Sequence, residues 1–451
     1  MSSRRDFLKS SGLVIMTGGA FLSTEQFLAG QDTTSQNGGY GTTGDDKQKP
    51  TLVTIFLRGG ADSLHTFIPS GDDLYYQYRP NIAIPSRGDR SALKLGKSKY
   101  WGLNPHMEPL VELIEAGQVV PIVNVGSPHS TRSHFSAQDY MERAAPGNNV
   151  IKQGWLNRYL ELTKMPYDLP LRGLSARSLV PRALRGHYPV LAGNNGAEQL
   201  DRFEQLYASD NLVQMTAREG ADIKTGSRLD AIPGARNAGE RPLTADMTRD
   251  IITVSGRNAV ERIKALRKAA TTRSRARYPG ALGLQLRAIA KVIKANVGLE
   301  VAQADYNGWD HHSNQGGVDG RMSQMLGEVS QCLAAFHKDL GPRMNKVLVM
   351  VMSEFGRTVH ENGNYGTDHG RGGFMIAMGN MLNGRQIYGK WNGLEQLDYG
   401  RFQQVTTDFR AVFAESLSKL FRFDPFKSQI FPDYRGGPRN YINFAQQLKE
   451  G

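Results

Sequence analysis

Residues 51–57 read TLVTIFL, a short apolar run closed by Arg58, Gly59 and Gly60. Four more runs of this kind follow: VVPIVNV at 119–125, LEVAQA at 299–304, KVLVMVM at 346–352 and FMIAM at 374–378. Short apolar stretches that end in glycine or polar clusters are the pattern of strands buried on both faces of a parallel sheet. Helical spacing alternates with them. Leu110, Leu113 and Ile114 precede the second run, Leu282, Leu286, Ile289, Ile293 and Val297 the third, and a face from Met322 to Phe336, stopped by Gly341 and Pro342, the fourth. The alternation predicts an α/β domain with a mostly parallel sheet sandwiched by helices, running from about residue 50 to the C-terminus.

In such sheets the functional groups gather where the loops leave the carboxyl ends of the strands. The first run is followed by Asp62, Ser63 and His65, and the second by Ser130, Thr131, Ser133 and His134. The third leads through Asp305 into GWDHHSNQ at 308–315. Glu354 and Arg357 follow the fourth, and Asp368 and His369 stand just before the fifth. With only 10 histidines in 451 residues, the placing of Asp310, His311 and His312 side by side marks that loop for cation chemistry. Each position alone has a plain structural reading: Asp62 or Ser133 as a helix cap, Glu354 as a partner of Arg357, His369 ordering a turn. Their delivery to one edge of the sheet predicts a metal-centred site.

The bulk numbers are those of a globular chain, with 39% hydrophobic and 22% charged residues. The formal charge of +12 is scattered, apart from a run spanning Arg262, Lys264, Arg267, Lys268, Arg273, Arg275 and Arg277. No aromatic residues interleave with that run, so it reads as a solvated helix face and no nucleic-acid partner is expected. The positive field favours an anionic substrate. The single cysteine, Cys332, lies at helical spacing among Met325, Val329 and Phe336, reads as a buried hydrophobe, and leaves no intrachain disulfide.

The N-terminus reads as an address. Ser3, Arg4, Arg5, Asp6, Phe7, Leu8 and Lys9 resemble the twin-arginine export signal in order, and the apolar run after them is shorter than the roughly 20 residues a transmembrane span requires. Residues 1–29 are therefore expected to form a signal peptide handled by the twin-arginine machinery, cleaved near Ala29, with no stable membrane anchor and a periplasmic or extracellular destination. Residues 30–50 are polar and glycine-rich and read as a flexible linker. Residues 165–245, rich in Arg, Gly and Pro, are expected to form loops and a partial cap over the strand ends.

The ordered series FLRGGADSLHT, SHFSAQDYMER, YNGWDHHSNQ, MSEFGRT, GTDHGRGG and VTTDFRAVFAE resembles the DUF1501 family of exported bacterial proteins, and covers nearly the whole chain after the linker. The resemblance implies the fold of the alkaline phosphatase and sulfatase superfamily, whose members use strand-end Asp and His ligands and a Ser, Thr or modified Cys nucleophile. On that pattern Asp62, Asp310, His312, Glu354 and His369 are expected to hold a divalent cation, Zn, Mn or Ca. Ser133 is the first choice of nucleophile, with Thr131 and Ser130 as rivals. Phe355 stands where the superfamily has a histidine, which favours one cation over two.

For an active site of this kind, His134 is the candidate proton donor to the leaving oxygen, and Arg132 or Arg357 the candidate anion clamp. The expected substrate is a phosphate or sulfate ester, either small or borne on a sulfated or phosphorylated polysaccharide. A non-catalytic exported binding protein for anionic polysaccharide, or an envelope assembly factor, is the alternative.

Overall fold

The computed structural model describes residues 48–164, 171–193, 265, 268–269, 271–384, 386–427 and 430–448. The expected signal peptide, nearly all of the linker, most of the cap segment and part of the basic run lie outside them. The strands are β1 (Thr51–Arg58), β2 (Phe67–Ile68), β3 (Leu93–Lys94), β4 (Gly102–Leu103), β5 (Val119–Gly126), β6 (Gly173–Ser175), β7 (Leu191–Ala192), β8 (Val301–Asn307), β9 (Val347–Met352), β10 (Gly373–Met378) and β11 (Thr407–Asp408). The helices are α1 (Ser63–Thr66), α2 (Asp73–Tyr78), α3 (Val111–Glu115), α4 (His134–Arg143), α5 (Trp155–Leu162), α6 (Gly280–Ala295), α7 (Arg321–Leu340) and α8 (Phe409–Phe421).

Eight strands form one sheet in the order β11-β5-β10-β9-β1-β8-β6-β7, and β2, β4 and β3 make a small second sheet. In the large sheet β1 pairs in parallel with β8 and β9, β6 with β7 and β8, and β11 with β5. Strand β10 alone runs antiparallel, to both β5 and β9. The chain between β9 and β10 contains no helix that would carry it back across a face of the sheet, so β10 returns beside its predecessor in the opposite sense. This reversal makes the amino end of β10, not its carboxyl end, share an edge with the carboxyl ends of β1, β8 and β9.

Side chains alternate across each strand, and β1 shows what each face meets. Val53, Ile55 and Leu57 join a core with Leu282, Leu286 and Ile289 of α6 and Met322, Val329 and Phe336 of α7. Leu52 and Phe56 point the other way, into a core with Trp155 and Leu160 of α5 and Phe409, Phe413 and Leu417 of α8. The result is the expected helix–sheet–helix sandwich. Cys332 is fully buried in α7, and burial pushes its thiol up to about 12, as befits a packing residue. Among the described residues, no helix is long and apolar enough to cross a membrane.

Candidate metal centre

Three imidazoles from three loops meet at the shared edge of the sheet. His134 opens α4, His312 follows β8, and His369 precedes β10. His369 Nε2 lies 2.8 Å from Nε2 of His134 and 2.8 Å from Nε2 of His312. Asp310 sends Oδ1 to the same point, 3.2 Å from His134 Nε2, 3.0 Å from His312 Nε2 and 3.3 Å from His369 Nε2. Donor atoms of His134, Asp310 and His369 all lie within 4.8 Å of one another, with His312 completing the group on one side.

The other nitrogen of each ring decides what this means. His134 Nδ1 sits 2.6 Å from Glu354 Oε1, His312 Nδ1 3.1 Å from Asp368 Oδ1, and His369 Nδ1 2.7 Å from the carbonyl oxygen of Arg132. Carboxylates and carbonyls only accept, so the proton of each neutral ring is assigned to Nδ1 and a lone pair is left at Nε2. Three lone pairs and a carboxylate oxygen then face one another at about 3 Å, which is repulsive unless a cation lies among them. Nitrogen ligands about 2.0–2.1 Å from a tetrahedral zinc would be about 3.3 Å apart, close to the spacings here, and the outward Nδ1 partners are those metal-binding histidines use. The residues fit a metal ion.

Electrostatics prepare the same set. Burial opposes ionisation of Asp310, but the Arg357 guanidinium beside it and the neighbouring His134 and His312 hold its carboxyl down to about 2. Burial likewise opposes charge on Glu354, whose hydrogen bonds from His134 and Gln138 keep it below the usual carboxylate range. His134 is pulled down by burial and up by Glu354 and Asp310, and the carboxylates win. His369 is held below the ordinary imidazole value by burial and by His134 and Arg357, leaving it neutral and ready to ligate.

Several expectations need correction. Asp62 is not in the cluster: it is buried, caps α1 through the Leu64 amide, pairs with Arg79 at 2.7 Å and accepts from Gln315 Nε2 at 2.7 Å, so its oxygens are spent on structure. Glu354 stands behind the ligand atoms, fully buried, accepting from Gly59 N, Gln138 Nε2 and His134 Nδ1. Its oxygens are turned to these donors and to the outward nitrogen of His134, not to the point where the Nε2 atoms converge. His134 in turn is a member of the donor group with both nitrogens engaged, which removes it as a proton donor to the leaving oxygen. Arg357 cannot serve as a clamp, because it is buried and donates to the carbonyls of Gly59, Gly60, Trp309 and Thr367 and to Asp310 Oδ1.

Ser133 is the exposed residue immediately before α4, and its Oγ makes no capping bond. Thr131 Oγ1 accepts from the Ser133 amide at 3.3 Å. Phe355 packs its ring 4.8 Å from that of His134 and 5.1 Å from that of His369, forming an apolar wall beside the two imidazoles. Trp309 is buried edge-on to Tyr306, fastening the GWDHHSNQ loop. His311 is also buried, and its ring nitrogens have no hydrogen-bond partner among the described residues; burial and Arg357 hold it down to about 4. Gly59, at φ +126, lets that loop close over the first turn: a Cβ there would lie 2.5 Å from the Asp310 amide.

Of two supporting residues, Asp368 was named from the sequence only as a strand-end carboxylate with no role, and Gln138 was not singled out. Asp368 accepts from His312, and Gln138 ties Glu354 to Arg58. Gln138 lies one helical turn after His134, on the same face of α4, which is the signal that points to it.

A family model described as a protein of unknown function (DUF1501) matches residues 121–423, a span that contains His134, Asp310, His312 and His369. The chain belongs to the DUF1501 family. No curated protein matches this DUF1501 chain. Among solved structures, the C-terminal periplasmic domain of EcEptC from Escherichia coli, crystallised in complex with Zn, is similar at 9% identity and a TM-score of 0.34, over 90% of this chain and 89% of that one. A likeness that distant carries no inference about the chemistry of this chain.

Proposed function

We propose that the chain is an exported metal-dependent hydrolase of phosphate or sulfate esters, built on an alkaline phosphatase-like frame. The observation that carries this reading is the convergence of three imidazole Nε2 atoms and the Asp310 carboxylate, each ring tethered at Nδ1. Three nitrogen donors and one oxygen suit zinc or manganese, and set calcium, which prefers all-oxygen ligands, aside. When bound, such an ion neutralises the non-bridging oxygens of an ester that otherwise repel a nucleophile.

The chain supplies the rest. Ser133 exposes an uncapped hydroxyl beside His134, at the start of a ten-residue helix whose first amides favour negative charge. In attack, Ser133 Oγ would bond to phosphorus or sulfur as the bond to the ester oxygen breaks, the hydroxyl proton passing through solvent to the departing oxygen. Water would then cleave the seryl ester, returning a proton to Oγ and releasing phosphate or sulfate. The apolar ring of Phe355 shields the imidazoles from one side.

Elemental analysis of protein purified without chelator or affinity metal is expected to find zinc or manganese, and aryl phosphates and sulfates tested in parallel should be turned over. Ser133→Ala should abolish turnover with the metal retained. Folded wild-type protein that stays metal-free after incubation with both ions would overturn the reading. Saturable phosphate binding by the loaded protein without product release would replace it with the non-catalytic binding protein.

Export by the twin-arginine route belongs to the same proposal, on the match of residues 3–9 to that signal. Changing Arg4 and Arg5 together to lysine is expected to leave the protein in the cytoplasmic fraction, and unchanged export of that variant would exclude the route.

A further inference from the structure

His134 stands between two carboxylates, either of which could hold the one proton of its neutral ring. Glu354 Oε1 lies 2.6 Å from Nδ1, and Asp310 Oδ1 lies 3.2 Å from Nε2. A proton on Nδ1 leaves the Nε2 lone pair free for a cation, whereas a proton on Nε2 would bond to Asp310 and close the cluster to one. The choice between these tautomers lies with what holds Glu354 in place.

Glu354 is fully buried, and its Oε1 also accepts from the Gly59 amide at 2.9 Å and from Gln138 Nε2 at 2.8 Å. Gln138 in turn has only one way to face. Its Oε1 accepts from Arg58 Nη1 at 3.0 Å, and a guanidinium only donates, as a carboxylate only accepts. An amide set between the two must give its oxygen to Arg58 and its nitrogen to Glu354. Flipped, it would set donor against donor and acceptor against acceptor.

Arg58 is held just as firmly. It grips Glu142 through both Nη atoms at 3.1 Å, reaches Asp305 through Nη2 at 3.0 Å, and rests with its guanidinium carbon 4.5 Å from the centroid of the Phe56 ring. Glu142 and Asp305 are buried, and Gln303 Nε2 joins them at 3.1 Å from each. Arg177 Nη1 donates to Asp305 Oδ2 at 2.7 Å, so two carboxylates face two guanidiniums and the charge is balanced. A buried ion network at the end of β1 thus reaches, through one directional amide and one carboxylate, the outward nitrogen of an imidazole it does not touch.

We propose that Arg58 and Gln138 are positioning residues which, through Glu354, fix the proton of the His134 ring on Nδ1 and so turn its Nε2 lone pair toward the cation site. The consequence for metal rests on the reading of the cluster as a metal centre, while the tautomer is a property of the metal-free ring.

The test reads that tautomer. The full chain, with histidine labelled at its ring nitrogens, is stripped of metal and held at about pH 9, where imidazoles are neutral, and NMR distinguishes the protonated from the bare nitrogen by shift. The His134 signals are those missing from His134→Ala. In the wild type the proton is expected on Nδ1. Gln138→Met keeps the length of the side chain without its hydrogen-bonding end. It should move a measurable share of the proton to Nε2 and lower zinc affinity about 10- to 100-fold, the range for loss of an outer partner. Arg58→Lys keeps the charge but loses the fork, and should shift the proton the same way by less. Arg172→Lys is the control. That guanidinium pairs with Glu300 at 2.8 Å just ahead of β6, at the opposite edge of the sheet, so its loss should lower the unfolding midpoint and leave the His134 ring unchanged.

A wild-type proton on Nε2, an unmoved proton in Gln138→Met, or an equal shift in Arg172→Lys would overturn the relay. Movement in Gln138→Met alone, with folded Arg58→Lys unchanged, would strike Arg58 from it. Zinc titration of the wild type keeps the two ideas apart. Protein that takes up no zinc yet shows the Gln138→Met shift refutes the metal centre and keeps the relay, whereas zinc uptake with an unmoved tautomer does the reverse.

Discussion

His369→Ala is expected to leave the folded protein unable to hold zinc or manganese, with affinity lowered well beyond the roughly 10- to 100-fold that removal of an outer partner costs. The reason is position. His369 Nε2 is the one ring atom within 2.8 Å of both other imidazoles, so its loss opens the middle of the donor group, whereas His312→Ala removes a flank and should weaken binding less. Dialysis against a zinc-competing dye reads both. Equal, undiminished affinity in His369→Ala would sink the site. The same titration has a predictable pH dependence, because each imidazole must be neutral to ligate. His134 has the raised pKa, set by Glu354 and Asp310 against burial, so its proton competes first as pH falls and affinity is lost from that direction. His369, held below its ordinary value, adds its competition only at lower pH. Affinity should therefore be fullest on the alkaline side of the imidazole range and decline through it.

The strands were legible because a strand buried on both faces leaves an unbroken apolar run, and all five runs from TLVTIFL to FMIAM became strands with shifts of up to three residues at their ends. Orientation was less legible. The antiparallel sense of β10 depends on the want of a crossover helix between Met352 and Gly373, and apolar runs carry no direction. At the site, sequence reasoning located the loops better than the roles. Asp310, His312 and His369 meet in one place, with Glu354 behind them on His134 and Arg357 on Asp310, yet contact with a cation and support of a ligand use the same residue types. Asp62 shows the limit. Its place after β1 suits a ligand, but Arg79, 17 residues on, folds back onto it, and only the tertiary structure reveals that its charge is already spent. His134 erred the other way, since a histidine at the start of a helix gives no sign that its two nitrogens will be taken by Glu354 and His369.

Arg357→Ala is expected to destabilise the protein by about 3–5 kcal/mol, the range for removing one member of a buried charged network. The side chain is 1% exposed and its Nε, Nη1 and Nη2 atoms serve five acceptors. Four of these are backbone carbonyls, from Gly59, Gly60, Trp309 and Thr367, which tie the turn after β1 to the GWDHHSNQ loop and to the segment before His369. Without the guanidinium they lose their partner inside the core, and each unsatisfied carbonyl costs about 1–3 kcal/mol unless water enters. Asp310 would also lose the cation that holds its carboxyl down to about 2, so metal affinity should fall along with stability. Lysine should restore less than half of the loss, because an ammonium has three donors at one point where the structure needs a planar fork reaching three loops. Urea unfolding of wild type, Arg357→Ala and Arg357→Lys, followed by tryptophan fluorescence, measures this directly. The experiment also separates two roles for the same residue. A brace lowers the unfolding midpoint whether or not substrate is present, while an anion clamp would leave the midpoint in place and lower turnover alone, the outcome that would restore Arg357 to the catalytic group.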